Sequence, residues 1–252
     1  PRACAHVART MDINAQYRSL AEGCKERTSS VPLLSSQLEE KHAIFGGAER
    51  LAACITYAVD HYQPECLVIA NSCVAGVIGD DVEAIAKETE VKYNIPVLSL
   101  DCCGFLDGEY YEGYYGITEL LVKRFLRPCK RKAKTVLLLG DNGGPWGHYA
   151  TEVTRILTVM GISVIGQFPG YMPFKDLSRA AEAEAVIISG GRGQTHIGLT
   201  TIAALMQKQL GIPYLDIYPT DWVQTQAWIE AVGKLLHCEA DAAKTLLDER
   251  ER

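Results

Sequence analysis

The sequence contains no C-x-x-C pair, no G-x-x-x-x-G-K-S/T phosphate loop, no apolar run long enough to cross a bilayer and no stripe of lysine and arginine. Each absence removes a class of function. Without C-x-x-C, neither a local zinc knot nor a ferredoxin-type loop can form, so any metal site has to be assembled from distant segments or from two chains. Without the phosphate loop, nucleotide hydrolysis of that type is excluded. The formal net charge is −6 and the basic residues gather only in Lys130-Arg131-Lys132-Lys134, a pattern that predicts a solvated linker and no nucleic-acid partner. No charged-then-apolar leader precedes the first predicted domain, so the expectation is a cytoplasmic protein with no membrane association.

What is present is apolar and periodic. The 252 residues are 48% hydrophobic, enough for substantial cores and a length that suits two domains. The nine cysteines are predicted to be reduced thiols, because an α/β pattern with ample core does not need disulfide staples. Cys54, on the apolar face of a predicted helix, and Cys66, at a predicted strand start, read as small core residues.

The chain is organised around residues 66–90. Leu67 to Ala70 is a short apolar run that leads into Asn71-Ser72-Cys73; a loop is predicted next, and Gly79-Asp80-Asp81 then opens a helix with Val82, Ile85 and Ala86 on one face. Ligands of open α/β sheets sit beyond the carboxyl ends of strands, which is where Cys73 falls. Asp80 or Asp81 is expected to accept orphan backbone N–H groups at the helix start. Upstream, residues 36–45 read as a helix capped by Ser36 with Glu39 three residues on, Gly46-Gly47 as punctuation, and residues 48–62 as a second helix ending before Pro64. Residues 29–34 suggest a strand, and Pro96 to Leu100 another, followed by Asp101-Cys102-Cys103-Gly104. Vicinal cysteines point apart on extended chain, so only one of Cys102 and Cys103 could readily face a site; the favoured alternative is that both are packing residues.

Beyond the predicted linker at residues 127–132, apolar runs alternate with helical patterns: strands at 135–140, 162–168, 185–189 and 213–217, helices at 149–160, 173–183, 197–210 and 222–236. That alternation specifies a parallel sheet with helices on both faces. The loops Gly140-Asp141-Asn142-Gly143-Gly144 and Ser189-Gly190-Gly191-Arg192-Gly193 follow strands and suit close approach to a ligand, although neither matches a dinucleotide fingerprint.

Three stretches carry a family resemblance. Asn71-Ser72-Cys73-Val74-Ala75-Gly76-Val77-Ile78-Gly79-Asp80-Asp81 resembles the S/T-x-C-x-x-x-x-I-G-D-D signature of nitrogenase component 1 and its relatives; Glu40-Lys41-His42-Ala43-Ile44-Phe45-Gly46-Gly47-Ala48-Glu49-Arg50-Leu51 is similar to their E-K-x-x-x-F-G-G-x-x-x-L segment; and Asp101-Cys102-Cys103-Gly104-Phe105 resembles the x-C-x-G-F piece of the α-type subunits. The similarity covers nearly the whole chain and is dense up to Gly116. It implies two Rossmann-like α/β domains with parallel sheets flanked by helices, residues 1–128 bearing a cluster and residues 129–252 forming the second domain.

By the same resemblance Cys73 is a ligand of an iron–sulfur cluster, expected to be of [4Fe-4S] type in the full assembly and open to being absent from a fragment, and Cys4, in a segment similar to the family's H-G-P-x-x-C-A, is the counterpart of a second ligand. The alternative for Cys4 is an idle thiol near a frayed terminus. The opening Pro1-Arg2-Ala3-Cys4 has no initiator methionine and residues 241–252 read as a charged terminal helix, which is the pattern expected of a fragment lacking an upstream ligand segment and a third domain. Where nitrogenase carries histidines beside its iron–molybdenum cofactor, Tyr114 and Tyr115 stand here; they argue against dinitrogen as substrate, or form a half-buried helix edge. Near Gly193 to His196 the cofactor cysteine has no counterpart, and His196 is either a substitute ligand or acid, or a solvated helix-start residue. The implied function is an electron-transfer, substrate-reducing subunit fed by an ATP-dependent iron–sulfur reductase and paired with a second component 1-type subunit, as homo- or heterodimer. The alternatives are a cofactor-assembly scaffold of the same fold and a cluster-free ligand-binding module.

Overall fold

A computed structural model of the chain describes residues 4–6, 8–10, 31–102, 110–140, 148–170, 172–190, 194–217, 219, 221–241 and 243–244. The chain divides into two compact units, Pro1–Ile117 and Thr118–Arg252, each described by itself below.

In the first unit α1 (His42–Phe45) and α2 (Ala48–Tyr62) precede β1 (Leu67–Ser72); α3 (Cys73–Ile78) and α4 (Val82–Tyr93) then lead to β2 (Val97–Cys102). The two strands are parallel and in register from Leu67 opposite Val97 to Ser72 opposite Cys102. One face of β1 is apolar for a reason: Ile69 packs with Val97, with Ile55 of α2 and with Val82 and Ala86 of α4, the i, i+4 pair that puts one stripe of α4 on the sheet. Asp81 caps α4 by accepting from the Ala84 amide at 2.9 Å, and Asn94 in the left-handed region closes it. The other face of β1 is open, with Val68 53% exposed.

Two local expectations change. The stretch 31–39 holds no strand, and the helix expected from residue 36 begins only at His42, because Gln37 sits at φ +54° and the Leu38 side chain is drawn over Gly47. Residues 73–78, expected as loop, form α3, six residues between an extended Ser72 and a left-handed Gly79.

The helix α5 (Tyr110–Phe125) runs across the division between units. In the second unit β3 (Lys132–Leu139), α6 (His148–Val159), β4 (Ser163–Phe168), a 3-10 helix (Phe174–Glu182), β5 (Ala183–Ile188), α7 (Gln194–Leu210), β6 (Tyr214–Leu215) and α8 (Trp222–Leu236) follow in turn. The sheet order is β4-β3-β5-β6 and every pairing is parallel, as the alternation in the sequence predicts. Val136, Leu137 and Leu139 of β3 and Val186 and Ile188 of β5 are fully buried, so these strands are covered on both faces. On one side Val136, Leu138, Ala185 and Ile187 meet Val153, Ile156 and Leu157 of α6 and Trp228, Ile229 and Val232 of α8. The Gln209 side chain donates to the carbonyls of Val122 and Leu126, both at 3.0 Å, at the end of α5. Among the described residues no helix is long and apolar enough to cross a membrane.

Candidate functional site

The first unit brings its three signature stretches to one rim, at the carboxyl ends of β1 and β2. The glycine pair and the aspartate pair, 33 residues apart, turn out to be two halves of one joint: the Gly47 amide donates to Asp80 Oδ1 at 3.1 Å and to Oδ2 at 2.8 Å. Only glycine fits there. A Cβ on Gly47 would come within 2.5 Å of Leu38 Cδ2 and 2.8 Å of Asp80 Oδ2, and Gly46 holds φ at +87°. The two aspartates therefore divide the work expected of either: Asp81 caps α4, and Asp80 pins the start of α2 beside α3.

Fixing that joint fixes Cys73, the first residue of α3. Its thiol is half-buried and donates to the Cys102 carbonyl at 3.9 Å, across the last register pair of the sheet. One residue back, Asn71 and Asp101 face each other on the opposite side of the sheet, with Asn71 Nδ2 donating to Asp101 Oδ1 at 3.0 Å. This bond turns the Asp101 carboxylate toward the amide, on the face away from Ser72 and Cys102. Cys102 is exposed, in contrast to Val97 and Leu98 earlier in the same strand, and so departs from the packing role expected of it. Cys103 lies outside the described residues.

Cys4 is exposed in the helical residues 4–6, and no hydrogen bond or disulfide joins it to Cys73 among the described residues. No group of three histidine, cysteine, aspartate or glutamate side chains gathers among the described residues. As donors, the cysteines at the open rim fit iron in chemistry, since thiolates are the ligands of iron–sulfur clusters, and fall short of four in number among the described residues. The rim suits a cluster shared with sulfur from elsewhere. Elsewhere, burial pushes the Cys54 thiol up, with Arg50 opposing, and burial likewise pushes Cys238 up, so both are poor thiolates. That agrees with the packing role expected of Cys54.

The tyrosines expected at a helix edge lie in α5, where Tyr114 and Tyr115 are half-buried and meet edge to face at 5.6 Å.

In the second unit the strand order switches between β3 and β5, which remain parallel, and the strand ends there are Gly140 at φ +119° and Ser189-Gly190, with Gly190 at φ +112°. A Cβ on Gly140 would lie 2.8 Å from the Ser189 carbonyl oxygen, so close packing of the two strand ends requires this glycine. The rest of both glycine-rich loops lies outside the described residues. His196, in the first turn of α7, gains a partner that sequence reading missed: its Nε2 meets Asp216 Oδ1 at 2.7 Å, and Thr200 Oγ1 lies 3.3 Å from the same oxygen. Nε2 donates in that bond, which orients the ring. The pairing was illegible because Asp216 follows β6, the length of α7 away, and a lone aspartate there carries no pattern.

The comparisons with known proteins bear on the whole chain. The model of the family described as nitrogenase component 1 type oxidoreductase matches residues 1–252. The chain is 31% identical over 187 residues to the nitrogenase iron-molybdenum cofactor biosynthesis protein NifE of Clostridium pasteurianum, covering 73% of this chain and 39% of that protein. It is 31% identical over 231 residues to the NifE protein of Methanosarcina barkeri, covering 86% and 46%. Against the nitrogenase molybdenum-iron protein alpha chain of Methanosarcina barkeri it is 24% identical over 188 residues, covering 72% and 34%. The chain thus spans well under half the length of these relatives. Among solved structures, nitrogenase Cp1 at pH 6.5 superposes with a TM-score of 0.72 at 20% identity, over 90% of this chain and 44% of that one, a likeness of fold.

Proposed function

This chain belongs to the nitrogenase component 1 type oxidoreductases, and from that premise we propose that it is part of a cluster-bearing subunit that passes electrons to a bound substrate. The observation that carries the reading is the rim of the first unit, where the family signature, locked by the Asp80–Gly47 joint, holds the Cys73 thiol beside the Cys102 main chain.

Cys73 would hold iron, and Cys4 would supply a second thiolate. An iron–sulfur cluster of [4Fe-4S] type, when bound, supplies a one-electron store whose potential depends on its thiolates, its hydrogen bonds and its exposure to water. The residues of the chain itself set those conditions. Asp80 holds the glycine pair and with it the start of α2; the α3 backbone fixes where Cys73 projects; Asn71 engages the Asp101 carboxylate at the same strand ends. The open rim leaves room for sulfur from a second component 1-type subunit, in a homo- or heterodimer, and for a donor, an ATP-dependent iron–sulfur reductase. His196, oriented by Asp216, is a group in the second unit able to hold or deliver a proton at Nδ1.

A second reading is favoured by the two relatives at 31% identity, both named as cofactor biosynthesis proteins: the same fold would hold a cofactor precursor without turnover. Mixing the anaerobically isolated protein with its reductase, ATP and dithionite separates the two. Consumption of ATP coupled to loss of a substrate supports electron transfer; no consumption, together with an iron-containing group that moves to an apo acceptor protein, supports the scaffold.

A further inference from the structure

We draw no further inference here: the strongest candidate, the His196–Asp216 side-chain pair at the carboxyl edge of the second unit's sheet, carries only the proton-handling role already proposed for it, and nothing in the structure shows what it acts on.

Discussion

The two units handle the ends of their strands in opposite ways. In the second unit the central strands β3 and β5 of a four-stranded parallel sheet are covered on both faces, and the carboxyl ends of the sheet close on glycines and on buried polar groups such as Gln167, which donates to the Gly140 carbonyl at 2.7 Å. In the first unit the two described strands bury one face, leave Val68 on the other in the open, and end in thiols at an exposed rim. A strand sandwiched between helix layers is held by hydrophobic burial, which is indifferent to direction; a rim that must present sulfur is held by a few directional bonds. The second unit is therefore the more deeply buried frame, and the proposed cluster site lies in the first.

The strongest blow to that comparison falls on the frame. Trp228 is fully buried between α8 and the sheet, and Trp228→Ala should cost about 3–5 kcal/mol in urea unfolding followed by far-ultraviolet circular dichroism. Its indole N–H has no hydrogen-bond partner among the described residues, so Trp228→Phe should cost clearly less; equal losses would mean that the ring nitrogen is bonded after all.

Next comes the joint of the first unit. Asp80→Ala removes an ionised acceptor from the Gly47 amide and is expected to destabilise by about 1.5–3 kcal/mol, with faster hydrogen exchange at Gly47 as the local readout. Asp81→Ala should cost about 1 kcal/mol, the usual loss of a helix cap, with exchange rising at Ala84 instead. If the two aspartates gave the same exchange pattern, the division of labour between them would be wrong.

Smaller still is a difference in thiol reactivity. In unfolding-free conditions without metal, alkylation followed by mass spectrometry should modify exposed Cys102 and Cys129 first and Cys54 and Cys238 last, because burial raises the latter two thiols away from the reactive thiolate. The smallest effect belongs to Lys87→Ala: its partner Glu83 is 2.7 Å away but both side chains are over two-thirds exposed, so no measurable change in unfolding is expected.

Much of the frame is readable from sequence because its signals are redundant. The helix expected at residues 222–236 is α8 to the residue, since Asp221 supplies a cap to Gln224 and His237 turns left-handed after the last apolar position. The parallel sheet follows from apolar runs too short for helices, set between helical periods. Legibility fades where tertiary contacts decide. Residues 36–41 carry a cap signal and helix-forming side chains, yet Leu38 packing on Gly47 holds them out of the helix. Residues 73–78 look like loop because Gly76 and two valines are poor helix formers, yet form α3. At the candidate sites of the two units, each motif is visible alone while the pairings Asp80 with Gly47, Cys73 with Cys102 and His196 with Asp216 join residues 20 to 33 positions apart.

The central claim is that Cys73 holds iron. Low-temperature EPR of the dithionite-reduced protein, isolated without air, tests it most directly: the account predicts a cluster signal in the unmodified protein that is lost or reshaped in Cys73→Ala at unchanged circular dichroism. An identical signal in the folded variant would contradict it.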